Sequence, residues 1–232
     1  METIERTTIV RVTSGAAESV EDAVATEQEC SIVVDGRTLV RAACSPGDRR
    51  AWVLGYLLSE GRILGPSDID EIRDDGATLT VRLARAAAVS PPASVASDFR
   101  LEISGVLEVV VEVTGRARLF AATGGAHAMA IASATEIIAL AEDVSRTCAL
   151  EKAIGRALEG NADFGRSLAV LSSRVPERMI AKLARCGIPI VAAVSAPTAQ
   201  AVHRAAELNV CLCGFVRGER MNVYAHGWRV GL

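Results

Sequence analysis

Three short polar stretches each follow directly on an apolar run in this chain, the placement best suited to holding a phosphate. Leu171 leads into Ser172-Ser173-Arg174 and a helix with Pro176 in its first turn. Val194 leads into Ser195-Ala196-Pro197-Thr198, which also reads as a helix start. Leu212 leads into Gly214-Phe215-Val216-Arg217-Gly218-Glu219-Arg220. In open α/β sheets, ligands collect beyond the carboxyl ends of the strands. The unpaired N–H groups and positive dipole end of a helix start favour an anion there. The guanidinium groups of Arg174, Arg217 and Arg220 add bidentate contacts to phosphate oxygens, and Gly218 admits close backbone approach. The binding residues expected from these patterns are Arg217 to Arg220, with Ser172, Arg174, Ser195 and Thr198 around them. Each stretch alone reads first as an ordinary helix cap or a solvated turn; only the ensemble points to a ligand. His127, after the turn Thr123-Gly124-Gly125-Ala126, reads as a structural residue.

Cysteine could carry covalent chemistry, but its spacing here does not favour it. The six cysteines stand at 30, 44, 148, 186, 211 and 213, with no zinc-like CxxC and no dense disulfide spacing. Reduced thiols in a cytoplasm are the expectation. Cys148 lies at a helix start near the cationic Arg146. Cys211 and Cys213 alternate along a strand. A small buried apolar residue is the simpler reading of each.

Composition narrows the classes. The formal charge is −3, which argues against a nucleic-acid protein with its usual basic face. Half the residues are hydrophobic but only 3% are aromatic, so aliphatic side chains must fill the core. The most apolar stretch, Ile188 to Val202, is short for a membrane span and is broken by Pro189 and Pro197. No signal peptide is evident at the start of the sequence.

These residues need a scaffold, and the sequence describes one. Asp35-Gly36 and Asp75-Gly76 each separate two strand-like runs, the signature of hairpins. Ser45-Pro46 reads as the cap and first position of a helix running to Gly61. Residues 84–98 are small and proline-interrupted, a candidate linker or mobile loop. Residues 106–113 alternate like a strand but also suit a helix. Beyond Phe120, strands are expected at 126–132, 136–141, 167–172, 188–194 and 210–215, with helices at 145–159, 176–186 and 197–208. This implies an α/β fold with a layered sheet covered by helices. Residues 1–98 then form a smaller β-rich α+β region, and 99–232 the α/β domain.

The motifs together resemble the FdhD family of formate dehydrogenase accessory sulfurtransferases. The resemblance runs through Cys44-Ser45-Pro46-Gly47-Asp48, Leu54-Gly55-Tyr56-Leu57-Leu58-Ser59-Glu60-Gly61 and Phe120. It continues in Thr123-Gly124-Gly125-Ala126-His127, Glu142-Asp143-Val144 and Ala149-Leu150-Glu151-Lys152-Ala153-Ile154-Gly155. Gly187-Ile188-Pro189, Ser195-Ala196-Pro197-Thr198, Gly214-Phe215-Val216-Arg217-Gly218 and Asn222-Val223-Tyr224 complete it. The resemblance implies a cytidine-deaminase-like α/β domain, usually in a homodimer. It also implies binding of the molybdenum (or tungsten) bis(molybdopterin guanine dinucleotide) cofactor, with the family's binding stretch matching Phe215, Val216, Arg217, Gly218, Glu219 and Arg220. Sulfur would pass from a cysteine desulfurase to that cofactor, destined for formate dehydrogenase or a related molybdoenzyme. Two departures stand out. The family's persulfide-forming CxxC has no counterpart between Ser90 and Gly105. Its Gly-Arg-His-Asn-Ala-Leu block reads Ser145-Arg146-Thr147-Cys148-Ala149-Leu150 here. Loss of the CxxC motivates an alternative, a non-catalytic cofactor chaperone or regulatory partner. A zinc deaminase would show H-x-E and P-C-x-x-C, whereas His127 is followed by Ala128-Met129.

Overall fold

A computed structural model describes residues 2–85, 89 and 91–232. Residues 86–88 and 90, part of the expected 84–98 loop, lie outside the described residues. The chain opens with a two-stranded antiparallel hairpin, β1 (Ile4–Thr13) and β2 (Ala16–Ala25), which the sequence reading did not anticipate. A four-stranded sheet follows in the order β4-β3-β6-β5, from β3 (Gln28–Val34), β4 (Arg37–Cys44), β5 (Ile69–Asp74) and β6 (Thr78–Leu83). Both expected hairpins are present, and β3 pairs in parallel with β6. Helix α1 (Arg49–Ser59) connects the two hairpins.

The helix start differs from expectation. Asp48, in the left-handed region, is the cap of α1. Ser45 instead faces the second half of the chain: its N–H donates to Asp143 (3.1 Å), and its hydroxyl accepts from the Val144 N–H (3.1 Å). A serine that looked like a local cap is therefore a long-range connector.

The second half is built on a six-stranded sheet in the order β12-β11-β10-β9-β7-β8. Its strands are β7 (His127–Ala132), β8 (Ile137–Asp143), β9 (Leu168–Leu171), β10 (Ile190–Ala193), β11 (Cys211–Arg217) and β12 (Arg220–Ala225). Strands β9, β10 and β11 are parallel; β7, β8 and β12 run antiparallel to their neighbours. β9 and β10 are buried along their whole length, as befits central parallel strands covered on both faces. Alternate residues divide the sheet into two cores. Met129, Ile131, Leu171, Val191 and Leu212 face a layer formed by α1, α4 (Arg146–Glu159), α5 (Glu177–Arg185) and α6 (Ala199–Glu207). Ala130, Val170, Ile190, Cys211 and Cys213 face α2 (Ile103–Gly115). The ambiguous run at 106–113 is thus helical, because Val106, Val109, Val110 and Val113 form one stripe that the sheet covers. Tertiary packing overrides the β-propensity of four valines. A short helix, α3 (Arg118–Thr123), leads back to β7 and lies against β2. No helix among the described residues is long and apolar enough to cross a membrane.

Backbone-to-backbone contact of α1 with α4 joins the two halves. A Cβ at Gly55 would lie 1.7 Å from the Glu151 carbonyl oxygen, and one at Gly155 would lie 1.8 Å from that of Ala51. Two buried ionic groups flank the crossing. Lys152 donates to Asp143 (2.6 Å) and to the Ser45 carbonyl (2.7 Å). Lys182 meets Glu151 (2.8 Å) and Glu60 (2.7 Å), while the Trp52 indole N–H donates to Glu151 (2.8 Å). Burial raises the carboxyls of Glu151 and Asp143 above their ordinary values despite these cations. The close approach predicts that Gly155→Ala will lower folding stability by about 3 kcal/mol or more in urea titration. A loss below about 1 kcal/mol would show that the helices can part without penalty.

Candidate functional site

The carboxyl ends of β9 and β10 share one edge of the sheet with the start of the antiparallel β7, and a cavity of about 460 Å³ opens there. Thr114, Ala117 and Phe120 form one wall, the turn from Gly124 to Ala128 another, and Ser172 and Val194 the floor. Each wall has an identifiable support. Both oxygens of Glu142 accept backbone N–H groups at the start of α3, from Leu119 and Phe120 (2.9 Å each), which fixes Phe120 at the rim. Thr123 donates to the Leu119 carbonyl and accepts from Gly125, closing the turn. Ser172 accepts from the Ala128 N–H (3.0 Å) and returns its own N–H to the Ala128 carbonyl, so its hydroxyl proton remains to be donated.

Several of the residues expected to bind phosphate meet at this edge. The loops after β9 and β10 are tied together: Val175 N–H donates to Ala196, and Thr198 N–H donates to Val175. That bridge brings the segment of Ser172 and Arg174 alongside Ser195 and Thr198. Strand β11 overruns the end of β10 and bends across it. Phe215 takes a positive φ of 52° at a bulge between Gly214 and Arg217, and its N–H reaches the Ser195 carbonyl (3.3 Å). A bulky residue held in the left-handed region is costly, and such strain concentrates at functional sites. Arg217 Nε then donates to the Val194 carbonyl (2.9 Å), anchoring the guanidinium stem beside the cavity floor. Arg174 and Arg217 are exposed, so their cationic heads are open to solvent.

The other expected residues are placed differently. Val216 is buried in the core on the α2 side and offers nothing to a ligand. The Thr198 hydroxyl accepts from Ala201 and caps α6. Glu177 occupies the first turn of α5 and already offsets its positive end. Gly218 and Glu219 form the turn of the β11–β12 hairpin and line a separate groove against α2, with Arg220 in register opposite Arg217. Phe120, His127 and the Gly124–Gly125 turn, by contrast, line the cavity, although the sequence pattern alone assigns them no binding role. The sequence signal for them is the Thr-Gly-Gly-Ala-His run, whose residue types equally suit a plain tight turn.

The thiols are poorly placed for chemistry. Cys186 is half-buried, and burial pushes it up to about 12. The other five cysteines are buried. Burial raises Cys30, although it accepts from Arg49 (2.9 Å); contact with Cys148 and burial raise Cys44. Cys211 and Cys213 lie 3.9 Å apart within the sheet, the thiol contact making Cys211 the more acidic. Among the described residues, no group of histidines, cysteines and carboxylates could hold a metal ion.

Comparison with known proteins agrees with this architecture. Residues 25–93 and 83–231 match the FdhD/NarQ family. The two stretches meet at 83–93, close to where the cysteine motif was expected. A protein of Anaeromyxobacter dehalogenans named sulfur carrier protein FdhD is 34% identical over 92% of this chain and 90% of its own length. One of the same name from Bordetella bronchiseptica is 34% identical over 97% and 94%. Both alignments are longer than 232 positions, so these relatives contain segments that this chain lacks. A crystal structure titled as a formate dehydrogenase accessory protein from Desulfotalea psychrophila shares the fold with a TM-score of 0.87. It is 23% identical and covers 99% of this chain and all of its own.

His127 begins β7 in register with Asp143, and burial and the charge of Arg146 hold its pKa below 6.5. The cavity therefore presents a neutral imidazole at pH 7. In an NMR titration, His127 should lose its proton below pH 6.5, and Arg146→Gln should raise its midpoint. A midpoint above 6.5, or no response to the substitution, would contradict this electrostatic picture.

Proposed function

This chain belongs to the FdhD/NarQ family, and from that premise we propose that it is an accessory protein in the maturation of formate dehydrogenase or a related molybdoenzyme. Its cargo is the bis(molybdopterin guanine dinucleotide) cofactor, one nucleotide end of which enters the cavity beyond β9 and β10. The cavity has the volume of a pocket for one nucleotide-sized group, so the rest of the cofactor would lie outside it. The observation that carries this reading is the convergence of the Arg174, Ser195 and Arg217 segments on one sheet edge, beside a cavity floored by Ser172. Arg217 is anchored at Nε, which leaves its terminal nitrogens to face a phosphate.

Holding the cofactor is favoured over carrying its sulfur. A sulfur carrier needs an accessible thiolate to take up a persulfide. The sequence has no cysteine between Cys44 and Cys148, and the six it has are buried or half-buried. Relatives named as sulfur carriers perform that step themselves by name; this chain lacks the exposed thiol for it. The chaperone reading therefore leads, with a cysteine desulfurase as a dispensable partner and the cytoplasm as the expected location.

Isothermal titration with GDP, a fragment of the cofactor, tests the site. Arg217→Ala should weaken binding by about tenfold or more, the value of a charge-assisted contact. Absence of binding at millimolar GDP, or affinity unchanged in the variant, would remove the site. Incubation with a cysteine desulfurase and cysteine should leave the protein without a persulfide label; a labelled cysteine would restore sulfur transfer.

A further inference from the structure

Cys211 and Cys213 both point from β11 into the core under α2, since alternate residues of a strand share a face. Both are buried, and their sulfurs lie 3.9 Å apart, a thiol contact within one strand. The ladder to β12 shifts register between Leu212 and Cys213, so the pairing on that side is already interrupted where the two meet. A third group bears on the pair. Arg229, in the turn after β12, is fully buried and forms no ion pair among the described residues. Its terminal nitrogens donate to the Phe99 and Asn209 carbonyls (3.1 and 3.2 Å), while its Nε has no partner. A buried cation facing only carbonyl oxygens is costly, and a nearby anion relieves that cost. Cys211 supplies one when it ionises. Contact with the Cys213 thiol holds Cys211 below the ordinary thiol value; burial opposes this, and the Arg229 charge adds to it. The same contact, together with burial, pushes Cys213 up.

We propose that Cys211 and Cys213 are a redox-active dithiol, which a peroxide converts to a disulfide within β11. The Cys211 thiolate attacks one peroxide oxygen, giving a sulfenic acid and a hydroxide that is protonated to water. The Cys213 sulfur then attacks the Cys211 sulfur, and the hydroxyl leaves with the Cys213 proton as a second water. Two thiols and one hydrogen peroxide thus become one disulfide and two waters, two electrons passing from sulfur to oxygen. Burial bars the approach of a desulfurase, but a small uncharged oxidant enters through local opening of the layer that α2 covers. Closure also acts beyond the pair. Alternate Cα atoms of an extended strand lie about 6.6 Å apart, whereas a relaxed disulfide prefers about 5.5–6 Å. The bond therefore shortens β11 immediately before Gly214, Phe215 and Arg217. The positive φ of Phe215 and the anchoring of Arg217 to Val194 both depend on the strand's course there. A strained bond of this kind is readily reduced, as a reversible switch requires. The proposal does not rest on what the cavity binds.

Treatment of the full chain with hydrogen peroxide, followed by alkylation and peptide mass mapping, reads the outcome. Cleavage after arginine yields the peptide Ala205–Arg217, which holds these two cysteines and no other. After peroxide it should be two hydrogens lighter than the reduced peptide and take up no alkylating agent, and dithiothreitol should restore both thiols. In Cys213→Ser, Cys211 should stop at the sulfenic acid and be labelled by dimedone; in Cys211→Ser, Cys213 should stay unlabelled. The Phe215 amide, bonded to the Ser195 carbonyl, should exchange its hydrogen about tenfold faster in the oxidised protein. A peptide that stays reduced while methionines of the chain become sulfoxides would overturn the proposal, and this parent-chain measurement decides even where a serine variant unfolds. Equal dimedone labelling of the two variants would refute Cys211 as the attacking thiol. Unchanged exchange at Phe215 would refute the link to the strand's course.

Discussion

The crossing of α1 and α4 at Gly55 and Gly155 is the constraint on which the rest of this structure depends. Two backbones approach so closely that neither position tolerates a Cβ. That proximity draws in a buried ionic layer: Asp143 with Lys152 on one side, Glu151 with Lys182 and Trp52 on the other. Burying charges is expensive, and such pairs seldom add net stability over apolar packing. What they do here is fix register. Asp143 also accepts the N–H groups of Ser45 and Ser145, so one carboxylate sets both the approach of the N-terminal sheet and the start of α4.

The consequences reach the cavity through adjacent residues. Asp143 ends β8 directly opposite His127, and Glu142, its neighbour, holds the start of α3 and hence Phe120. The helix crossing therefore positions one side of the site. The other side is set by the sheet itself, where parallel β9, β10 and β11 bring three loop segments to a common edge. Close packing helps there too. A Cβ on Gly214 would lie 2.9 Å from Pro197, so glycine lets the Ser195–Pro197 turn rest against β11. The strained Phe215 then directs the strand over that turn and brings Arg217 to the Val194 carbonyl.

Much of this was legible in the sequence where local physics and tertiary need agree. The Asp-Gly hairpins, the fully apolar central strands and the helix expected at 145–159 all fall where their residue types put them. Disagreements arose where a distant partner decided. Ser45 resembles a helix cap but binds Asp143 and Val144, almost a hundred residues away in the chain. The 106–113 run looks equally like a strand until the sheet claims one stripe of it. The β1–β2 hairpin offers little hydrophobic alternation, since most of both strands is exposed. The placement of Ser172 and Arg217 at the sheet edge is legible because both follow apolar strands. Val216 was misplaced because a bulge turns it inward. In a chain so rich in arginine, the only two lysines, Lys152 and Lys182, both sit in the ionic layer between the halves.

The central claim is that one sheet edge holds a guanine nucleotide, and a crystal structure determined with GDP tests it most directly. The account predicts the nucleotide in the cavity between Phe120 and Ser172, with its phosphates within hydrogen-bond distance of Arg217. GDP lodged instead in the groove beside α2, or absent from crystals grown at millimolar concentration, would contradict it.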